Sequence, residues 1–168
     1  RVLFRSAASD RMALAASFRT TVAVQTNLVI LPLTLFGTTA QRDAYMSSLL
    51  SGQMVGAFAL TESGAGSDAF SAETSAEARA DGSFVLRGQK QWITNGSLAD
   101  LFIVFAQVPA HGLTAFLVDR TSLGVGVGRE ERKMGLHGSS TTAVILNEVV
   151  VSGDRVLGPI GRGRDIAR

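Results

Sequence analysis

Two hydrophobic periods divide the chain. From Asp10 to Gly52 apolar residues recur at helical spacing: Val22, Val24, Leu28 and Val29 form a run that Ser17 can cap, and Tyr45, Met46, Leu49 and Leu50 share the face of a later helix, with Gln41, Arg42 and Asp43 elsewhere. Pro32 suits the first turn of a new short helix and Gly37 stops it. Thr38 or Thr39 caps the next helix, and Gly52 sits where a left-handed terminator belongs. After Gly52 the period becomes two. The segments VGAFAL, SFVLRG, QWIT, LFIVFAQ, LTAFLVD and AVILNEVVV are short, rich in β-branched and aromatic residues, and punctuated by Gly, Pro, Asp-Gly or Asn-Gly. Ala80 to Ser83 and Asn95-Gly96 are predicted turns. With no helical stretch between the strands, the fold class is α+β: N-terminal helices, then an antiparallel β-barrel or sandwich, and not a doubly wound nucleotide fold. The expected division is a partial helical domain at 1–53, a β-domain at 54–158 and, at 159–168, the stub of a further helical domain. The opening RVLFRS joins no pattern and is expected not to be a native start.

Composition narrows the function classes. In 168 residues, 46% are hydrophobic and 18% charged, which suits a packed core and excludes a disordered chain. The arginines are scattered and the net charge is only +2, so nucleic acid is not an expected partner. The absence of cysteine removes disulfides, thiolate metal sites and a cysteine nucleophile, and fits a reducing compartment. His111 and His137, with no carboxylate at ligand spacing, make no expected metal site. No run reaches the roughly eighteen apolar residues that a transmembrane helix needs. Asn95-Gly-Ser is a glycosylation sequon in form, but is expected to be a turn.

Two segments carry candidate chemistry. In FALTESGAGSD, Phe58 and Leu60 share a strand face, Thr61 and Glu62 close the strand, and Gly64, Ala65 and Gly66 are expected to expose backbone amides just before Ser67. Amides with a serine hydroxyl suit a pyrophosphate. In QWITNG, Trp92 and Thr94 are expected to look one way while Gln91 and Ile93 look the other, setting a large flat ring beside a hydroxyl. Taken alone, each segment reads more readily as an ordinary loop or a core tryptophan with an incidental threonine.

Together, in this order, they resemble the acyl-CoA dehydrogenases. The family signature T-E-x-x-x-G-S-D stands here as Thr61, Glu62, Gly66, Ser67 and Asp68, and a second one as RGQKQWITNG, with Arg87 in place of asparagine. GLTAFLVDR, KMGLHGSST and RVLGPIGRG resemble later family blocks, and the likeness is closest in feel to the long- and very-long-chain members. Ser63, Ser140, Ser152 and Arg164 depart from the usual residues without touching the two signatures.

The resemblance implies FAD as cofactor, with Phe58, Leu60, Thr61, Gly66, Ser67, Trp92, Ile93 and Thr94 along it, the Thr94 hydroxyl on the redox-active nitrogen, and Ser67 near the acyl-CoA substrate as well. It implies α-proton abstraction with β-hydride transfer to give trans-2-enoyl-CoA in fatty acid β-oxidation, an electron-transfer flavoprotein as acceptor, and a homo-oligomer, dimer or tetramer. The location implied is the bacterial cytoplasm or the mitochondrial matrix. No glutamate here fits the catalytic base, which is expected beyond residue 168, so the chain alone is expected to be inactive. The competing readings are an acyl-CoA oxidase, using oxygen as acceptor, and a non-enzymatic β-module.

Overall fold

A computed structural model describes residues 15–168. The expectations for Asp10 and for the opening RVLFRS lie outside the described residues. Helix α1 (Ala16–Ala23) continues through a π-helical stretch, Val24–Ile30, into α2 (Leu31–Phe36). Ser17 is not the cap. Ala15 holds that position without a side-chain bond, and the Ser17 hydroxyl instead accepts the Gly138 amide at 3.2 Å. Pro32 does stand in the first turn of the short helix α2, which follows the π-helical stretch without a break because the backbone stays right-handed on both sides. A wider turn upstream accommodates both the pyrrolidine ring and the hydrogen bond that proline cannot donate.

Helix α3 (Thr39–Ser51) starts with a reciprocal cap: the Gln41 amide donates to Thr38 Oγ1 at 3.2 Å and the Thr38 amide to Gln41 Oε1 at 3.0 Å. It ends on left-handed Gly52. Tyr45 and Leu49 are buried, but Leu50, expected beside them, is exposed. The buried row runs at intervals of four through Gln41, whose Nε2 donates to the carbonyls of Asp154 and Val156 at 2.6 and 2.9 Å.

The strands are β1 (Gly56–Ala59), β2 (Ser75–Ala78), β3 (Phe84–Thr94), β4 (Leu101–Val108), β5 (Gly112–Asp119), β6 (Val125–Val127), β7 (Thr141–Val151) and β8 (Val156–Leu157); a last helical turn, α4, covers Gly163–Ile166. They form one mostly antiparallel sheet in the order β6-β7-β3-β2-β4-β5-β8. The exceptions meet at β4, which takes β1 in parallel, Gly56 opposite Leu101, and one parallel bridge from Ser75 to Gln107. SFVLRG and QWIT, expected as two strands, are the ends of β3, whose pairing with β7 is interrupted by irregularities at Leu86/Gly88 and Lys90/Ile93.

Inside the folded sheet Phe84, Leu86, Phe102, Val104, Phe116, Val118, Val144 and Val149 make one core. On the other side of β4 and β5, Leu101, Ile103, Phe105, Ala115 and Leu117 pack against Val29, Leu33, Tyr45 and Leu49 of the helices. Burial on both faces accounts for the near-continuous apolar run of β4. The helix-to-sheet seam leaves no room for a side chain at Gly56, where a Cβ would lie 2.5 Å from Val29 Cγ1. Gln25 closes the same seam, donating to the carbonyls of Leu49 and Met54 at 2.9 Å each and accepting the Gly56 amide at 2.7 Å. No helix among the described residues is long and apolar enough to cross a membrane.

Candidate functional site

The two signature segments, about thirty residues apart in sequence, meet where β1 ends beside the second irregularity of β3. The Gln91 amide donates to the Thr61 carbonyl at 2.9 Å, and Lys90 Nζ donates to the Leu60 carbonyl at 3.1 Å. Lys90 is fully buried and pairs with Glu62, Nζ to Oε1 at 2.7 Å. The Glu62 carboxylate also accepts the amides of Glu73 and Thr74 at 2.6 and 3.0 Å, and the Thr74 hydroxyl. Burial pushes the Glu62 carboxyl up, but the Lys90 ammonium, the Thr74 hydroxyl and the Glu73 amide outweigh it and hold it below the usual carboxylate value. Burial pulls the Lys90 ammonium below an ordinary lysine, against the opposing effect of Glu62.

Glu62 stands in the first signature and Lys90 in the second, but neither was among the expected site residues. Two charges twenty-eight residues apart give no local signal of pairing. Lys90 sits in the polar stretch GQKQ and Glu62 in TESG, so neither stands out against an apolar background.

The irregularity in β3 places Trp92 at φ 55°, with 55% of its surface exposed. A bulky residue in the left-handed region is costly and persists where its surroundings impose it. Here Lys90, two residues back, and Ile93, one ahead, are both turned inward. Trp92 and Thr94 therefore stand opposite Ile93, as alternation expects. The Ile93 side chain lies in the sheet core, 2% exposed, so only its backbone is left for a ligand.

Phe58 and Leu60 share the side facing the helices, half-buried, with the Phe58 ring 4.8 Å from that of Phe105. Gly64, Gly66 and Ser67 are exposed, and no atom lies within 4 Å of a Cβ built on either glycine, so a ligand can approach this backbone closely. Ala65 departs from the expectation of exposed amides. It is buried, its amide donates to the Glu62 carbonyl at 3.1 Å, and its carbonyl accepts the Glu62 amide at 3.2 Å, forming a small loop that anchors the glycines on either side. Beyond Ser67, Gln107 Nε2 donates to the Phe70 carbonyl at 3.1 Å and the Arg164 guanidinium lies 4.8 Å above the Phe70 ring. The hydroxyls of Thr61, Ser67 and Thr94 form no hydrogen bond with another described residue, which leaves them available. The result is an open face with an exposed indole, half-buried apolar side chains, unspent hydroxyls and accessible backbone, suited to a large planar ligand carrying an anionic tail. Among the described residues no group of three or more histidines or carboxylates could hold a metal.

Asn95 follows this face and turns away from it. Fully buried at φ 67°, it donates from Nδ2 to the carbonyls of Thr21 and Gly56 at 3.2 and 3.1 Å, fastening α1 to β1. Its side chain has no room for a glycan.

The family described as "Acyl-CoA dehydrogenase, middle domain" matches residues 57–149. A probable acyl-CoA dehydrogenase of Bacillus subtilis is 41% identical over 160 residues, 95% of this chain and 27% of that protein. A probable short/branched chain specific acyl-CoA dehydrogenase of Dictyostelium discoideum is 46% identical over 150 residues, covering 87% of this chain and 36% of its own. Among solved structures, an acyl-CoA dehydrogenase from Bacillus anthracis complexed with FAD superposes with a TM-score of 0.91 at 41% identity, over 95% of this chain and 28% of that one. The chain thus spans about a quarter to two fifths of the length of the curated relatives it matches.

Proposed function

The chain belongs to the acyl-CoA dehydrogenase family, and on that premise we propose that it is the flavin-binding part of an enzyme that oxidises a fatty acyl-CoA to the trans-2-enoyl thioester. The observation that carries this is the junction of the two signatures at Gln91–Thr61 and Lys90–Leu60, which supports a shared surface of Leu60, Thr61, Trp92 and Thr94. The donors there fit FAD. The Thr94 hydroxyl and the backbone near Thr61 would hold the ring, Trp92 would flank it, and Gly66 and Ser67 would take the pyrophosphate. When bound, FAD supplies the hydride acceptor for the acyl β-carbon.

The chain's own contribution is to bind, orient and exclude water. Unspent donors fixed on a rigid sheet cost no reorganisation when charge develops beside them. Ser67, exposed at the end of the loop, would also meet the acyl-CoA. The proton-abstracting base is assigned to a part of the protein outside this chain. Glu62, the one glutamate within the two signatures, is locked between Lys90 and Thr74, and Glu130 accepts the Thr141 amide at 2.8 Å and the Ser97 hydroxyl. In domain terms, residues up to 53 belong to a helical domain, 54–158 form the flavin domain, and 159–168 lead into a further helical domain. An electron-transfer flavoprotein is the proposed acceptor, and the full protein a homo-oligomer.

The test is to purify the full-length protein and add a series of acyl-CoA thioesters without oxygen. A bound flavin whose visible absorbance bleaches on addition, with enoyl-CoA formed, supports the reading. A colourless protein that takes up no FAD would remove it, and rapid oxygen consumption in a parallel aerated assay would make it an oxidase instead.

A further inference from the structure

We infer that Lys90 is a positioning residue for the cofactor-facing surface: through its buried pairing with Glu62 it sets the first signature segment against the second. This rests on the reading of that surface as an FAD site. Lys90 Nζ holds both the Leu60 carbonyl, at 3.1 Å, and Glu62 Oε1, at 2.7 Å, so one ammonium grips the chain on both sides of Thr61. In a trans peptide the carbonyl of one residue and the amide of the next point in opposite directions. No cis bond occurs among the described residues, so drawing the Leu60 carbonyl inward turns the Thr61 N–H outward, towards the open face. The Thr61 carbonyl is then taken by Gln91 and the Glu62 amide by Ala65, which fixes consecutive peptide groups in turn.

On the other strand, Lys90 immediately precedes the stretch that carries Trp92 in its left-handed conformation. Anchoring the residue two before the indole stabilises the irregularity that exposes it. Thr74 completes the arrangement by donating amide and hydroxyl to the same carboxylate. A buried ion pair is weak evidence of a need for stability, because an apolar pair of similar volume often serves as well or better. What an apolar pair cannot do is orient a carbonyl and fix the relative position of two strands through directional bonds.

The test compares the full-length protein with the apolar pair Lys90→Met/Glu62→Leu and with Glu62→Gln. Thermal melting, FAD affinity and peptide-level hydrogen exchange of the flavin-free protein are measured for each. For the apolar pair, which also strips the Leu60 carbonyl, the Glu73 and Thr74 amides and the Thr74 hydroxyl of their partner, melting is expected to fall by several degrees and FAD affinity to be roughly 10- to 100-fold weaker. Exchange should rise together in residues 60–67 and 90–95 while β4 and β5 stay protected. Glu62→Gln, which keeps one carbonyl acceptor for Thr74 and Lys90 but sets an NH2 donor where the Glu73 amide is now accepted, should fall between. Unchanged exchange in both segments, or an apolar pair that fails to fold, would overturn the inference and leave a purely structural pair. Exchange is read without cofactor, so a parent protein that binds no FAD would remove the functional reading while this result still decides the role of Lys90.

Discussion

Gly88 and Thr74 occupy the same small volume: a Cβ on Gly88 would lie 2.5 Å from Thr74 Oγ1 and 2.8 Å from Thr74 Cα. Gly88 also has φ 152°, which L side chains rarely adopt. The absence of a side chain on β3 thus lets Thr74 reach the Glu62 carboxylate.

Gly88→Ala is therefore expected to destabilise the protein by about 1–3 kcal/mol, the cost of overpacking a filled site, and to disturb the loop after Thr61. Melting of the full-length variant checks the first part and FAD affinity the second. An unchanged melting temperature would show that Thr74 can move aside.

Thr94→Val separates cofactor chemistry from folding. The substitution keeps the shape, suits a strand, and deletes a hydroxyl that no described residue uses. Stability should stay within about 0.5 kcal/mol of the parent. Flavin potential or turnover should shift by the equivalent of about 1–3 kcal/mol, the range for a hydrogen bond to a charge-developing group. A fall in melting temperature with an unaltered flavin would assign Thr94 to the fold alone.

Much of this was legible beforehand where local chemistry decides the structure. The Thr38 cap and the Gly52 terminator are properties of a few adjacent residues, and LFIVFAQ is apolar enough to specify a doubly buried strand by itself. Strand β2 was not legible. SAEA has no β-branched or aromatic residue, and it is a strand because β3 pairs with it. The same holds for VGV in β6 and VL in β8, which are too short for a periodic signal. The parallel placement of β1 beside β4 depends on a connection of 41 residues between Ala59 and Leu101 that no window captures. At the site, the types and order of Thr61, Ser67, Trp92 and Thr94 were readable as a pattern. The burial of Lys90 together with Ile93, three residues on, depends on an irregularity that breaks the period of two.

Asn95→Ala tests the join between helices and sheet. The change removes the donors to the Thr21 and Gly56 carbonyls and leaves alanine at φ 67°. Unsatisfied buried carbonyls and a strained backbone together predict a loss of about 2–4 kcal/mol. Asn95→Gly, which relieves only the strain, should recover part of it. Denaturant melts of the two variants give the comparison.

Acid stability has a definite sign at Glu62. Its carboxyl in the folded protein lies below the ordinary value of 4.5, so the unfolded chain takes up its proton first as the pH falls. The stability it contributes is fully present above pH 4.5 and is lost as the pH drops through the lower folded value. Glu130 is also held low, as burial is outweighed by the Ser97 hydroxyl and the Thr141 amide, so a decline in acid alone does not identify Glu62. The decisive comparison is Glu62→Gln, which should be less stable than the parent at neutral pH and show a flatter dependence of melting temperature on pH below 4.5. Parallel curves for the two proteins would remove Glu62 from the acid response.

Trp92 offers the sharpest separation of fold from function, because what the fold requires at this position conflicts with the residue present. The backbone is left-handed at φ 55°, a conformation that asparagine tolerates and tryptophan does not favour, and more than half of the indole surface is exposed. Were Trp92 present only for packing, its replacement by asparagine would lose apolar contact and stability together. With the ring serving instead as one wall of a ligand site, Trp92→Asn should relieve strain of about 1–2 kcal/mol and offset much of the lost burial, leaving the melting temperature of the flavin-free protein level or higher. FAD affinity should fall at the same time, and Trp92→Phe, which keeps an aromatic face, should restore most of it. Melting of the flavin-free protein and titration with FAD, made on the full-length protein and both variants, read the two effects independently. A destabilised Trp92→Asn protein with undiminished FAD affinity would show that the strained indole serves the fold.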